Sequence, residues 1–134
     1  MAASRKDLQN LLDRTPFLRG YGFRVHSLRP GWCTIRVPRR PGFERPDGIV
    51  GGPILITAAD VAMWLAIYTR IELKETAVTV EMKTNFLRSL RKAPFYCRAR
   101  VIKLGRRLVY GTAECYAVGH GLLAHHTLTY IRLP

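Results

Sequence analysis

Acidic residues are scarce in this chain. Nine Asp and Glu stand against 22 Lys and Arg among 134 residues, a formal net charge of +13. Arg carries most of that excess, and guanidinium groups suit paired hydrogen bonds to phosphate oxygens. Charge alone does not choose among a nucleic acid, an anionic membrane and a phosphorylated small molecule. Cysteine is also scarce. Cys33, Cys97 and Cys115 are odd in number and widely spaced, which excludes a disulfide framework and reads as reduced thiols. No apolar run approaches the roughly 18–20 residues a bilayer span needs. Arg5 and Lys6 are followed by Asp7, Gln9 and Asn10, not by the apolar core of an export signal. A cytoplasmic location without membrane attachment is therefore expected. No Cys/His/Asp cluster has metal-ligand spacing, so no metal or cofactor is expected. No Gly-x-Ser-x-Gly nucleophile elbow is present. Internal repeats, linkers and low-complexity segments are lacking too.

The chain does have enough apolar residues, 48%, and enough length for one domain over residues 1–134 with a true core. Its most informative stretch runs from Gly48 to Arg70. Gly51 and Gly52 lead into Pro53 and then into a segment apolar on almost every side, with Asp60 set into it. Proline suits a first helical turn, where its missing N–H would have had no partner. A helix that is hydrophobic all round is a buried helix. A carboxylate inside one needs partners, because desolvating it unpaired costs several kcal/mol. The pattern predicts a buried helix over residues 53–70. A shorter amphipathic helix is predicted over residues 4–13, with Ser4 as its cap and Leu8, Leu11 and Leu12 on one face.

Strands account for the remainder. Residues 21–28 and 32–37 read as a pair joined at Arg29-Pro30-Gly31. After the long helix the period changes to two. Val78, Val80 and Met82 alternate with Thr79, Glu81 and Lys83; Phe95, Cys97, Ala99 and Val101 with Tyr96, Arg98, Arg100 and Ile102. Val109, Ala113, Cys115 and Ala117 follow the same rule, and residues 122–131 form a last strand. Turns fall at Ser89–Pro94, Gly105-Arg106 and Gly119-His120-Gly121. The fold class is α+β. One central helix wrapped by a curved antiparallel sheet is the economical way to cover an all-apolar helix.

With these residues in this order, the chain resembles the hotdog-fold thioesterases of the phenylacetate-degradation type. The carriers are the glycine-rich lead-in and helix with Asp60, the strand from Val78 to Arg88, the turn Gly105-Arg106-Arg107-Leu108, and a last strand opening with Leu123-Ala124-His125. In that family the lead-in commonly reads His-Gly-Gly, with the catalytic acid nine residues after the histidine. Here Gly51-Gly52-Pro53 stands there, so the histidine is absent. An Asn often found upstream falls at Arg45, and the proline usual after Leu-Arg is Ser89.

The resemblance implies an acyl-CoA thioesterase. Asp60 would act as general base on water or as nucleophile on the carbonyl. The N–H of Gly52, with Gly51 as partner, would stabilise the oxyanion, aided by the helix dipole. Thr57 and Trp64 lie three residues before and four after Asp60, hence on its helical face; Thr57 could orient water and Trp64 wall an acyl pocket. Arg88, Arg91 and Lys92, with Arg106 and Arg107, are the basic clusters in the loops that would meet the phosphates of coenzyme A. The family pattern further implies a homodimer or homotetramer whose subunits pair edge to edge and share each site. A non-catalytic acyl-CoA binding or sensing protein is the alternative, motivated by the missing His and Asn. A nucleic-acid partner rests on charge alone and is not expected. No segment shows the aromatic-and-basic alternation of an RNA-reading sheet or the pattern of a recognition helix. His125 and His126 point to opposite faces of their strand and make no metal pair.

Overall fold

A computed structural model describes residues 3–134. Helix α1 spans Arg5–Arg14. Its N-terminus is closed by a capping box, in which the Asp7 N–H donates to Ser4 Oγ and the Ser4 N–H donates to the Asp7 carboxylate. Leu8 and Leu12 are buried beneath it. Gln9 pins the helix to the sheet, donating to Phe23 O and accepting from the Val25 N–H at 2.7 Å. A 3-10 segment, Pro16–Tyr21, follows and stops at Gly22, whose φ of +73° few other residues adopt. That segment delays the first strand, which runs Arg24–Arg29 (β1) instead of starting at residue 21.

Strands β2 (Trp32–Val37), β3 (Thr76–Phe86), β4 (Phe95–Leu104), β5 (Leu108–Ala117) and β6 (Gly121–Leu133) complete one six-stranded sheet in the order β1-β2-β4-β5-β6-β3. Every neighbouring pair is antiparallel. Helix α2 (Gly52–Tyr68) crosses between β2 and β3 in sequence and packs on the concave face of the sheet. This is the hotdog arrangement. Its helix ends at Tyr68, two residues before the predicted boundary, because Thr69 caps it. The Thr69 hydroxyl donates to Ala66 O at 2.6 Å and accepts the Gly31 N–H at 2.7 Å, tying the helix end to the β1–β2 turn.

The core lies between α2 and the sheet. Ala58, Ala59, Ala62 and Ala66 are fully buried and let the strands approach the helix closely, while Met63, Leu65 and Ile67 fill the space between. Each such large side chain contributes roughly 1.5–3 kcal/mol through burial. At Gly111 of β5 the Met63 thioether fills the place of a side chain. Among the described residues no helix is long and apolar enough to cross a membrane.

One strand departs from simple alternation. The register of β3 against β6 shifts between Thr79 and Glu81, so Val80 is a bulge. The extra residue reverses the phase. Ala77 and Thr79 face the helix before the bulge, and Met82 and Thr84 face it afterwards. Val78 and Val80 are left 41% and 57% exposed, not packed with Met82.

Candidate active site

Helix α2 is not covered all round. A stripe of Pro53, Ile56, Thr57, Asp60 and Trp64, at helical spacing, stays exposed or half-buried. Asp60 lies midway along it, half-buried and not enclosed, and it has two partners from the sheet. Thr79 Oγ1 donates to Asp60 Oδ1 at 2.7 Å, and the Tyr130 hydroxyl donates to the same oxygen at 2.6 Å. Tyr130 also lies 2.8 Å from the Asp60 backbone carbonyl. Thr79 and Tyr130 are opposed residues of β3 and β6, so their side chains emerge side by side on one face. Burial, then the charge and hydrogen bond of Asp60, push the Tyr130 phenol above its ordinary range and keep it a neutral donor. Among the described residues nothing donates to Asp60 Oδ2.

That oxygen's residue borders a groove of about 540 Å³, whose apolar wall includes Leu11, Phe17 and Leu18 from the N-terminal segments and Val61 and Trp64 from α2. Trp64 thus stands beside Asp60, held edge-to-face on Tyr68 at 5.8 Å. Thr57 does not join them. Its hydroxyl donates to Pro53 O at 3.0 Å within its own helix. It faces a second hollow, of about 390 Å³, shared with Tyr21, Phe43, Arg45 and Gly51. Arg45, at the place of the family's Asn, pairs with Asp47 at 2.6 Å.

At the start of α2 the two glycines differ. The Gly51 N–H is spent on Phe43 O at 2.9 Å. Gly52 is the first helical residue, and its N–H has no carbonyl a turn earlier to accept it. The Phe86 ring lies against Gly52, with two ring carbons 3.2 Å from where a Cβ would be. Among the described residues no side chain caps this end, and no acid lies in the first turn, which leaves a helix terminus able to receive negative charge.

The basic clusters are apart. Arg88 follows β3, and Arg91 donates to the Asp47 carbonyl, while Lys92, at φ 46°, bonds through its N–H to Gly48 O. Arg106 and Arg107 are exposed at the β4–β5 turn; the Arg107 carbonyl accepts the Arg132 N–H, and Arg132 pairs with Ala77. The clusters therefore sit at opposite ends of β3, about 30 Å apart. Among the described residues no group of His, Cys, Asp and Glu could hold a metal ion.

His126 is fully buried. Its Nδ1 lies 2.8 Å from Thr84 Oγ1 and its Nε2 3.5 Å from Cys115 Sγ. Desolvation, with a smaller contribution from His125, lowers its pKa to about 4, so it is a neutral interior group. Thr79 and Tyr130 escape a reading of the sequence alone, because the bulge at Val80 and the strand register bring them together. Only the hydroxyls at core-facing positions could have pointed to them.

Residues 47–124 match the model of the thioesterase superfamily. A protein named as an esterase in Saccharolobus solfataricus is 28% identical over 128 residues, 96% of this chain and 85% of its own length. The crystal structure of a thioesterase family protein from Silicibacter pomeroyi superposes with a TM-score of 0.87 at 30% identity, over 94% of this chain and 95% of that one. The phenylacetic acid degradation protein PaaI of Thermus thermophilus gives 0.78 at 28% identity, over 88% and 99%. The chain belongs to the thioesterase superfamily, as a hotdog-fold member of that family of thioester hydrolases.

Proposed function

We propose that the protein hydrolyses acyl-CoA thioesters and that Asp60 carries the reaction. The observation behind this reading is the asymmetry of one carboxylate. Oδ1 is fixed by Thr79 and Tyr130, while Oδ2 has no donor among the described residues and belongs to a side chain bordering an apolar groove. Two routes use that free oxygen. As general base it takes a proton from water, the oxygen of that water adds to the carbonyl carbon, and the C–S bond then breaks with the proton passing to the thiolate. As nucleophile it adds to the carbonyl itself, expels the thiolate and leaves a mixed anhydride that water cleaves. Label found in Asp60 after single-turnover hydrolysis in ¹⁸O-water identifies the second route, since only an anhydride opened by water at the Asp60 carboxyl carbon can place it there.

The oxyanion donor comes from a second copy in this reading. Gly52 precedes Asp60 by eight residues, about 12 Å along the helix, too far for both to touch one carbonyl. Strand β3 is an edge strand with Val78, Val80, Phe86 and Leu87 exposed, a surface suited to pairing with another strand. Antiparallel pairing of two such edges centred near Met82 brings the partner's Phe86 end, with Gly52 beneath it, opposite Thr79 and Asp60. The same pairing brings Arg88, Arg91 and Lys92 of one subunit towards Arg106 and Arg107 of the other, which supports a shared cradle for the phosphates of CoA.

The test is release of free thiol across short, long, branched and aryl-acetyl CoA esters, with Asp60→Asn in parallel. Turnover that vanishes in the folded variant is the expected result. Undiminished turnover by Asp60→Asn refutes the mechanism, and CoA-ester binding without any turnover identifies an acyl-CoA sensor instead.

A further inference from the structure

The convex face of the sheet, on the side away from α2, carries a pattern that no single segment shows. Strand register aligns its outward residues in rows. One row reads Arg24, Arg36, Tyr96, Tyr116 across β1, β2, β4 and β5. The next places Thr34 beside Arg98 and Glu114, and the third places Arg29 beside Trp32, Arg100 and Thr112. Five arginines thus face one glutamate, and Glu114 is already paired with Arg98 at 2.9 Å. The patch measures roughly 14 Å along the strands and 14 Å across them.

Aromatic rings are set among these cations. Arg29 and Arg100 lie 4.6 and 5.0 Å from the Trp32 ring centre, and Arg98 lies 5.1 Å from that of Tyr116. Tyr96 stacks on Tyr116 with an interplanar angle of 16°, and the His26 ring abuts Tyr96 at 4.9 Å. Two adjoining hollows, of about 320 and 380 Å³, share Arg29, Trp32 and Arg98. The rings and guanidinium planes thus lie against one another across neighbouring strands of the sheet.

We propose that this face binds single-stranded nucleic acid. A ligand complementary to it must carry several negative charges and flat rings at short intervals, and a single strand with unpaired bases does so: phosphates for the arginines, base faces for Tyr96, Tyr116 and Trp32. A duplex hides its base faces within the stack. A second copy of this surface would set arginines against arginines. The patch shares no residue with the groove at Asp60, so its failure would leave the thioesterase reading untouched.

The experiment is fluorescence anisotropy of labelled ten-residue oligo-U and oligo-dT strands, titrated with the full chain between 50 and 200 mM salt. A duplex of equal length and vesicles containing phosphatidylserine serve as competitors. Single strands should bind and the duplex should compete weakly. The affinity should fall with salt at a logarithmic slope near −3, since each phosphate neutralised on a single strand contributes about −0.7. Arg29→Gln combined with Arg100→Gln should weaken binding at least tenfold and reduce that slope by about 1.4. Thioester hydrolysis and the melting temperature should be unchanged. Comparing oligo-U with oligo-dT tells RNA from DNA. Absence of single-strand binding at 50 mM salt overturns the proposal, as do equal binding of duplex and unweakened binding by the double variant. Binding to vesicles with none to oligonucleotides assigns the face to a lipid surface. A change of oligomeric mass in the variant assigns it to self-association.

Discussion

Replacing Tyr130 by Phe removes one oxygen atom and tests how Asp60 is held. The ring is 3% exposed and packed in the core, so its shape stays and only the donor at 2.6 Å from Oδ1 is lost. Hydrogen bonds to an ionised group contribute about 1.5–3 kcal/mol. Every 1.4 kcal/mol is a factor of ten, so if that interaction orients Oδ2 towards the reacting carbonyl, kcat should fall roughly 10- to 100-fold. KM should change little, since the phenol borders the groove but its apolar ring remains. Thr79→Val removes the second donor and should act on the same oxygen. In the double variant Asp60 loses both anchors, and the combined loss should depart from the product of the single losses, because the two donors share one acceptor. Steady-state kinetics on the best ester of the panel, with circular dichroism to show intact folding, decides the matter. A Tyr130→Phe protein with the kcat of wild type would refute the positioning role and leave the two hydroxyls as structural ties between α2 and the sheet.

Two further outcomes follow from the interior. Because the pKa of His126 lies near 4 in the fold and near 6.5 when unfolded, the unfolded chain takes up a proton between those values that the native protein refuses. Stability should therefore be full above pH 6.5 and fall by roughly 2 kcal/mol between pH 7 and pH 5; urea denaturation at both pH values should show this, and His126→Leu should flatten the dependence. A Cβ on Gly111 would overlap the Met63 methyl and stand 2.5 Å from the Arg100 carbonyl oxygen, which cannot swing aside. Gly111→Ala should lower stability by about 1–3 kcal/mol, read as a melting temperature several degrees lower. Gly42→Ala, where nothing among the described residues lies within 4 Å, should melt as wild type does.

Much of this fold is legible in the sequence because it rests on local periodicity. Phe95 to Val101 and Val109 to Ala117 alternate cleanly, and the strands bury the residues that alternation selects. Gly51, Gly52 and Pro53 mark where α2 begins, and an apolar run of its length must be mostly interior, although the stripe left open at Ile56, Asp60 and Trp64 is not visible in it. Strand β3 is the exception. Its alternation is interrupted by a bulge whose position depends on pairing with β6, and no residue of β3 announces it. The partners of Asp60 were hidden for the same reason, since Thr79 and Tyr130 are 51 positions apart in sequence and adjacent only in register.

The central helix, the antiparallel strands around it and the carboxylate set into that helix can be read from the order of residues alone. These follow from hydrophobic period, glycine and proline placement and charge, all properties of neighbours along the chain. Packing decides which oxygen of Asp60 is anchored and which has no donor among the described residues, and that the Gly51 N–H is spent on Phe43 O while that of Gly52 has no partner among them. It also decides that arginines and aromatic rings scattered from Arg24 to Tyr116 form one surface. Each of these is a relation between strands, and strand register is fixed by packing across the sheet, which no local stretch of sequence contains.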